Sequence, residues 1–418
     1  MKKILISGMI GNGLEWYDYA LYGQVAWLLA QLFFPAGDEA AQLLAAFGVF
    51  AAGFVVRPLG AAFFGWLGDK YGRKPAMVVA ILMMAIPTGM IGLLPTYAEI
   101  GVFAPILLTL IRVAQGISLG GEFSGSITYI VEHAPPHRRG LAGAASLVSL
   151  MLGFILGIIV VRCCMSYLGQ EAFEQWGWRI PFLVGIFIGF IGFYIRHYCD
   201  ESPVYEEAKQ NDALAKAPIR QAFKQYPWQM LQGFGAYISV TMPFYLTTIF
   251  FITFMKKHLG VEADDALKIT LYNMVAMLIT IPISAYFSDK IGRKPIMICA
   301  AIGMMLYAYP LFASLEYGIA PLKLGLAQFG FCLILGVYMG PVAAMLVELF
   351  PTSVRFSGMA IAYNLAAAIF GGTAPLICEW LIGASGGNVA IAYYVMACNA
   401  ASICALYYYK DRFREKLS

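Results

Sequence analysis

Charged side chains are scarce in this sequence of 418 residues: Asp, Glu, Lys and Arg together make up 12% of it, against roughly one quarter in an ordinary soluble domain. That shortage, with apolar residues at 60% and a mean hydropathy of +0.72, excludes the two or three soluble domains that the length alone would suggest. Chemistry-bearing motifs are lacking as well. The eight cysteines show no CxxC spacing and fall in or at the ends of apolar runs, where they read as small packing groups, adjacent Cys163 and Cys164 being the one pair with a conceivable redox role. The four histidines have no metal-ligand spacing, and no phosphate-binding loop or nucleophile elbow is present, so no metal or cofactor is expected and an enzyme is the least supported class.

What the chain does have is runs of about 20 apolar residues, the length that crosses a bilayer as a helix. We read twelve: 5–30, 43–67, 76–94, 102–131, 141–165 and 180–198, then 230–255, 269–287, 296–315, 322–347, 359–382 and 389–408. The predicted fold class is an all-α membrane protein built from two pseudo-symmetric six-helix bundles. Its expected domains are 1–198, a polar linker 199–229, 230–410 and a short tail 411–418. A repeat supports the doubling. Gly65 to Pro75, with Asp69, Lys70, Gly72, Arg73 and Lys74, returns 220 positions later as Ala285 to Pro295, with Asp289, Lys290, Gly292, Arg293 and Lys294.

Basic residues set the expected orientation. With the N-terminus inside, 20 of the 28 Lys and Arg fall on inner segments, so both termini are expected in the cytoplasm and the net charge of +4 is topological, with no nucleic-acid partner implied. The N-terminal run breaks at Asn12 and meets Glu15 and Asp18 with no small-residue cleavage site before them, which argues for a retained first helix.

The informative residues are the few ionisable groups within spans. A charge at mid-bilayer costs about 2.5 to 3.5 kcal/mol even on the lenient insertion scale, so Glu15, Asp18, Arg57, Arg112 and Glu122 call for partners or a water-filled cavity. Glu15, Asp18 and Tyr22 share one helical face, and Arg112, Gln115 and Glu122 share another. A carboxylate beside an arginine in low dielectric can act as a proton switch, ionised while the two are close and protonated when they part; a fixed structural ion pair is the alternative. An offset of 216 residues superposes Arg112 on Gln328 and Glu122 on Tyr338. The second half is thus expected to supply neutral hydrogen bonds and aromatic walls, from Tyr237, Thr241, Tyr245, Thr248, Asn273, Gln328, Tyr338 and Asn364, with interhelical bonding as the alternative for each.

The repeated turns suggest a gate at one end. Asp69 and Asp289 lie near helix N-termini, Arg73 and Arg293 can reach neighbouring carboxylates, and Glu132 with Arg138 and Arg139, like Glu348 with Arg355, forms a second repeated set. A surface cluster that only sets topology is the other reading.

These motifs resemble the major facilitator superfamily across the whole chain. More narrowly, Gly11 to Gly23, Val56-Arg57-Pro58-Leu59-Gly60, Arg112 to Glu122, Gly177 to Phe182 and Glu201-Ser202-Pro203 resemble its metabolite:proton symporter family, which includes proline/betaine, alpha-ketoglutarate, citrate and shikimate transporters. The resemblance implies proton-driven import of a small organic solute across a bacterial cytoplasmic membrane, by rocking of the halves about a central site. It further implies that Asp18 and Arg112 stand where related symporters keep the coupling acid and its basic partner. The expected partners are a small-molecule substrate, protons and the lipid bilayer, for a monomeric carrier. The chain ends soon after its last span, which puts in doubt the osmotic regulation that a longer tail gives proline/betaine carriers. Acids and bases together in the candidate cavity (Glu15, Asp18 and Glu122 with Arg57 and Arg112) favour a zwitterion such as proline or betaine over a small carboxylate. An exporter of a metabolite, drug or siderophore shares the same frame, and a non-transporting receptor is a weaker third possibility.

Overall fold

A computed structural model describes residues 9, 12–13, 16–17, 20–35, 37–71, 73–132, 134–197, 223–351 and 354–415. Among these every regular element is helical. The first span ends in α1 (Ala26–Phe33), the second combines α2 (Glu39–Val55) and α3 (Arg57–Tyr71), and α4 (Arg73–Leu93), α5 (Phe103–Glu132), α6 (Arg139–Leu168) and α7 (Arg179–His197) complete the first half. In the second half, α8 (Pro227–Tyr245) runs through a π-helical turn, Leu246–Phe250, into α9 (Phe251–Leu259); α10 (Ala263–Ile291), α11 (Arg293–Ala313) and α12 (Pro321–Leu349) follow. Another π-turn, Ala367–Gly371, joins α13 (Arg355–Ala366) to α14 (Ala374–Ser385), and α15 (Val389–Tyr407) ends the set. The architecture is a twelve-span membrane fold in two six-helix bundles.

The outside carries the large apolar side chains that a lipid-facing surface needs, among them Leu59, Phe187, Leu306 and Leu326. Inside, helices cross where side chains vanish. A Cβ on Gly60 or Gly116 would collide with the backbone of the facing helix at Ile117 or Gly53, and one on Gly120 with the Arg57 carbonyl, so α3 and α5 approach backbone to backbone. That crossing brings Arg57 and Arg112, one from each helix, into the bundle interior, both wholly buried.

The repeated charged motif is more helical than a turn. In the second copy, α10 runs to Ile291 and α11 begins at Arg293, so Gly292 alone makes the connection, at φ 105°, a left-handed conformation that favours glycine.

Candidate functional site

Between the halves lies a small cavity, whose free space in this conformation is on the order of a single water molecule. The first half lines it with Trp16, Arg57, Leu147 and Leu150, and the second with Tyr237, Val240, Thr241, Phe244 and Tyr245 of α8, Met339 of α12, Tyr363 of α13 and Ala367. Trp16 is held by an inward chain of bonds: its indole N–H donates to Asn12 Oδ1 (3.1 Å), whose amide donates to Ser149 Oγ (2.7 Å) of α6. The Arg57 guanidinium lies over the rings of Phe54 (4.6 Å), Trp16 (5.5 Å) and Tyr363 (5.7 Å). Tyr363 meets Tyr237 edge-on at 4.9 Å. A cation thus sits in a wall of aromatic faces.

One layer away, Arg112 lies over Tyr22 (4.6 Å) and Phe50 (5.3 Å). Its Nη1 donates to Gln115 Oε1 (2.7 Å), Gln115 Nε2 donates to Thr88 Oγ1 (2.6 Å), and Tyr22 donates to the Ala46 carbonyl (2.8 Å). A buried guanidinium with a polar scaffold is a group that stabilises a carboxylate brought beside it.

Contacts cross between the halves at both ends. At the end with the repeated charged motif, the Gly140 and Leu141 amides at the start of α6 both donate to the Asp289 carboxylate (2.8 and 3.1 Å), an acid placed at the positive end of a helix. Arg293, wholly buried, bonds Asp289 (2.7 Å) and Glu348 (3.0 Å), and Arg355 reaches across to Glu132 (2.8 Å). Arg139 donates to the Glu415 carbonyl (2.8 Å), and the Lys294 amide to Asp411 (2.9 Å). Burial, reinforced by Glu348 and Asp411, pushes the nearby Tyr409 phenol well above its ordinary pKa. At the opposite end Arg162 pairs with Asp264 (2.7 Å), and Lys256 lies 3.0 Å above the Trp27 ring. Aromatic pairs close the space between, with Phe54 and Tyr245 at 4.9 Å and Phe47 and Phe250 at 6.1 Å.

The family models place this geometry. One described as sugar (and other) transporter matches residues 4–227, and one described as major facilitator superfamily matches residues 230–418. This chain belongs to the major facilitator superfamily. Within it, the glycine betaine/proline/ectoine/pipecolic acid transporter of Dickeya dadantii is 36% identical over 406 residues, covering 95% of this chain and 80% of that protein. The proline/betaine transporter of Salmonella typhimurium is 35% identical over 409 residues, covering 95% and 81%. A crystal structure of a D-xylose-proton symporter shares the fold at TM-score 0.74 and 21% identity, covering 99% of this chain and 97% of that one. The superfamily is one of membrane transporters, so a carrier's moving halves are the frame in which the site residues must be placed.

Of the expected cavity residues, Arg57, Tyr237, Thr241 and Tyr245 stand on its wall. Gln115 and Tyr22 serve Arg112 instead, as above. Gln328 Nε2 donates to the Thr247 carbonyl (3.2 Å), Tyr338 donates to the Ala236 carbonyl (2.6 Å), and Asn273 is buried on α10 away from the lining. Asn364 donates to the Gly120 carbonyl of the other half (2.9 Å). Glu15 and Asp18 lie outside the described residues, as do the side chains of Glu122, Asp69 and Arg73. Trp16, Phe244 and Tyr363 line the cavity without having been singled out. Trp16 could have been found from its place four residues after Asn12 in the first-span motif, which puts both on one helical face.

Proposed function

We propose that this superfamily member is a proton-coupled symporter that imports a small zwitterion, of the proline or betaine kind, by exposing the cavity to each side in turn. The observation that carries this is the Arg57 guanidinium set among the rings of Trp16, Tyr237, Phe244, Tyr245 and Tyr363. A guanidinium suits one carboxylate, and aromatic faces suit a cationic nitrogen. A dianion would set its second negative charge against ring faces of the same sign. The solutes in the relatives' printed names, glycine betaine, proline, ectoine and pipecolic acid, each join a carboxylate to a cationic nitrogen centre.

Coupling is assigned to Asp18 with Arg112, supported by Glu15 and Glu122, because the buried Arg112 offers a charge that an acid on the first span can gain and lose. Residues 1–198 and 230–410 would move as the two bodies, with 199–229 linking them. Gating at the charged-motif end is assigned to Asp289, Arg293, Glu348, Arg355, Glu132 and Arg139, with Asp69 and Arg73 as the first-half counterparts. The basic-residue distribution supports placing that end, and both termini, on the cytoplasmic side of a bacterial inner membrane, with the carrier working as a monomer in the bilayer.

The test is uptake into proteoliposomes. With acid outside, labelled proline or glycine betaine should accumulate, a protonophore should abolish the accumulation, and citrate or alpha-ketoglutarate should not compete. Uptake indifferent to the pH difference, or preferred uptake of the dianions, would overturn the reading.

A further inference from the structure

We propose that the Thr241 hydroxyl reads whether the bound solute's cationic nitrogen carries a hydrogen, and so sets the carrier's preference between protonated amines and quaternary ammonium solutes. The inference rests on the zwitterion reading of the cavity and adds a specificity-determining residue to it. Thr241 lies on α8 one turn from both Tyr237 and Tyr245, on the cavity wall, and is 2% exposed. Its Oγ1 makes no hydrogen bond among the described residues.

The threonines of this span divide in this respect. Buried threonines in a membrane span ordinarily donate to the carbonyl four residues back, and Thr247 and Thr248 do so, to Pro243 (2.8 Å) and Phe244 (2.6 Å). Thr241 does not use the Tyr237 carbonyl in this way. Thr128 and Thr253 also hold unbonded hydroxyls, but neither lines the cavity. Gly371, in the π-turn of the eleventh span, packs its bare backbone against Oγ1, and a Cβ there would collide with Oγ1 and crowd the Tyr245 ring. A hydroxyl that is buried, unbonded and set against a solute cavity is a group whose polarity a ligand must satisfy.

The chemistry sorts solutes by N–H count. A secondary ammonium held among the rings can donate to Oγ1 while its carboxylate faces Arg57. A quaternary ammonium has no hydrogen to offer and would rest on the ring faces alone, leaving Oγ1 as it is. Selectivity against an analogue that lacks the hydrogen follows from the same unmet group.

The experiment is a binding ladder on the purified full-length carrier, using L-proline, N-methyl-L-proline and N,N-dimethyl-L-proline, which carry successively fewer N–H groups. Replacing the hydroxyl by a methyl in Thr241→Val should weaken L-proline by about tenfold while leaving the dimethyl compound within about twofold. Thr241→Ser should keep the wild-type ranking. If Thr241→Val does not fold, Thr241→Ala is read on the same ladder, with the dimethyl compound as its internal control. Equal weakening of all three ligands, or unchanged L-proline binding, would overturn the assignment of Thr241 while the cavity reading stands. Failure of the wild type to bind any of the three would overturn the cavity reading, and this inference with it.

Discussion

The two halves of the molecule keep one frame and fill it with opposite chemistry. At matched positions of the fourth and tenth spans, Arg112 is a buried cation with a bonded scaffold, whereas Gln328 and Tyr338 are neutral and donate to backbone carbonyls of the neighbouring helix. The cavity repeats the contrast. Its first-half wall includes the Arg57 charge and its second-half wall is built from neutral rings and a hydroxyl. Packing needs a duplicated backbone, and glycines and carbonyl bonds preserve it. Under the proposed coupling, proton chemistry needs only one copy, since a second buried charge would add desolvation cost without adding a second driving ion. The ends differ too: the charged-motif end is joined by a carboxylate on helix N–H groups and buried arginines, the other by partly exposed pairs such as Arg162 with Asp264.

That contrast can be broken at three strengths. The largest effect is expected at Arg112→Leu. If Arg112 stabilises the coupling acid as proposed, its removal should abolish uphill accumulation, read as a steady-state solute ratio near one in proteoliposomes. Gln328→Leu at the matched position should leave that ratio near wild type. An intermediate effect is expected at Asp289→Asn, where one of the two backbone amides loses its acceptor oxygen to an NH2 group and the other bond loses its charge assistance: turnover should drop several-fold while solute affinity stays within about twofold. A loss of affinity at unchanged turnover would contradict the gate. The smallest belongs to Tyr338→Phe, which removes one bond to the Ala236 carbonyl and should cost about 0.5 to 1.5 kcal/mol, seen as a melting temperature lowered by a few degrees with coupling intact.

The frame was legible because it rests on local patterns, apolar length and a charged motif repeated at fixed spacing. Arg57 and Arg112 were legible because a lone charge in an apolar run has few reasons to be there. The cavity's rings were not. In a chain with 15% aromatic residues, Trp16 and Tyr363 look like any packing residue until helix crossings bring them to Arg57. Ion pairs were legible as types but not as partners. Sequence proximity joins Glu132 to Arg138 and Arg139, and Glu348 to Arg355; in space Glu132 meets Arg355 across the halves and Glu348 meets Arg293. Asn364, expected to face a solute, instead bonds the Gly120 carbonyl of the opposite half, because α13 meets α5 at a residue with no side chain.

Solute-driven proton movement tests the division of labour most directly. When solute is added to proteoliposomes without an imposed gradient, the external medium should turn alkaline with the wild type and with Gln328→Leu. With Asp18→Asn it should not, although labelled solute should still exchange. Undiminished proton movement in Asp18→Asn, or its loss in Gln328→Leu alone, would place the proton in the wrong half and contradict the account.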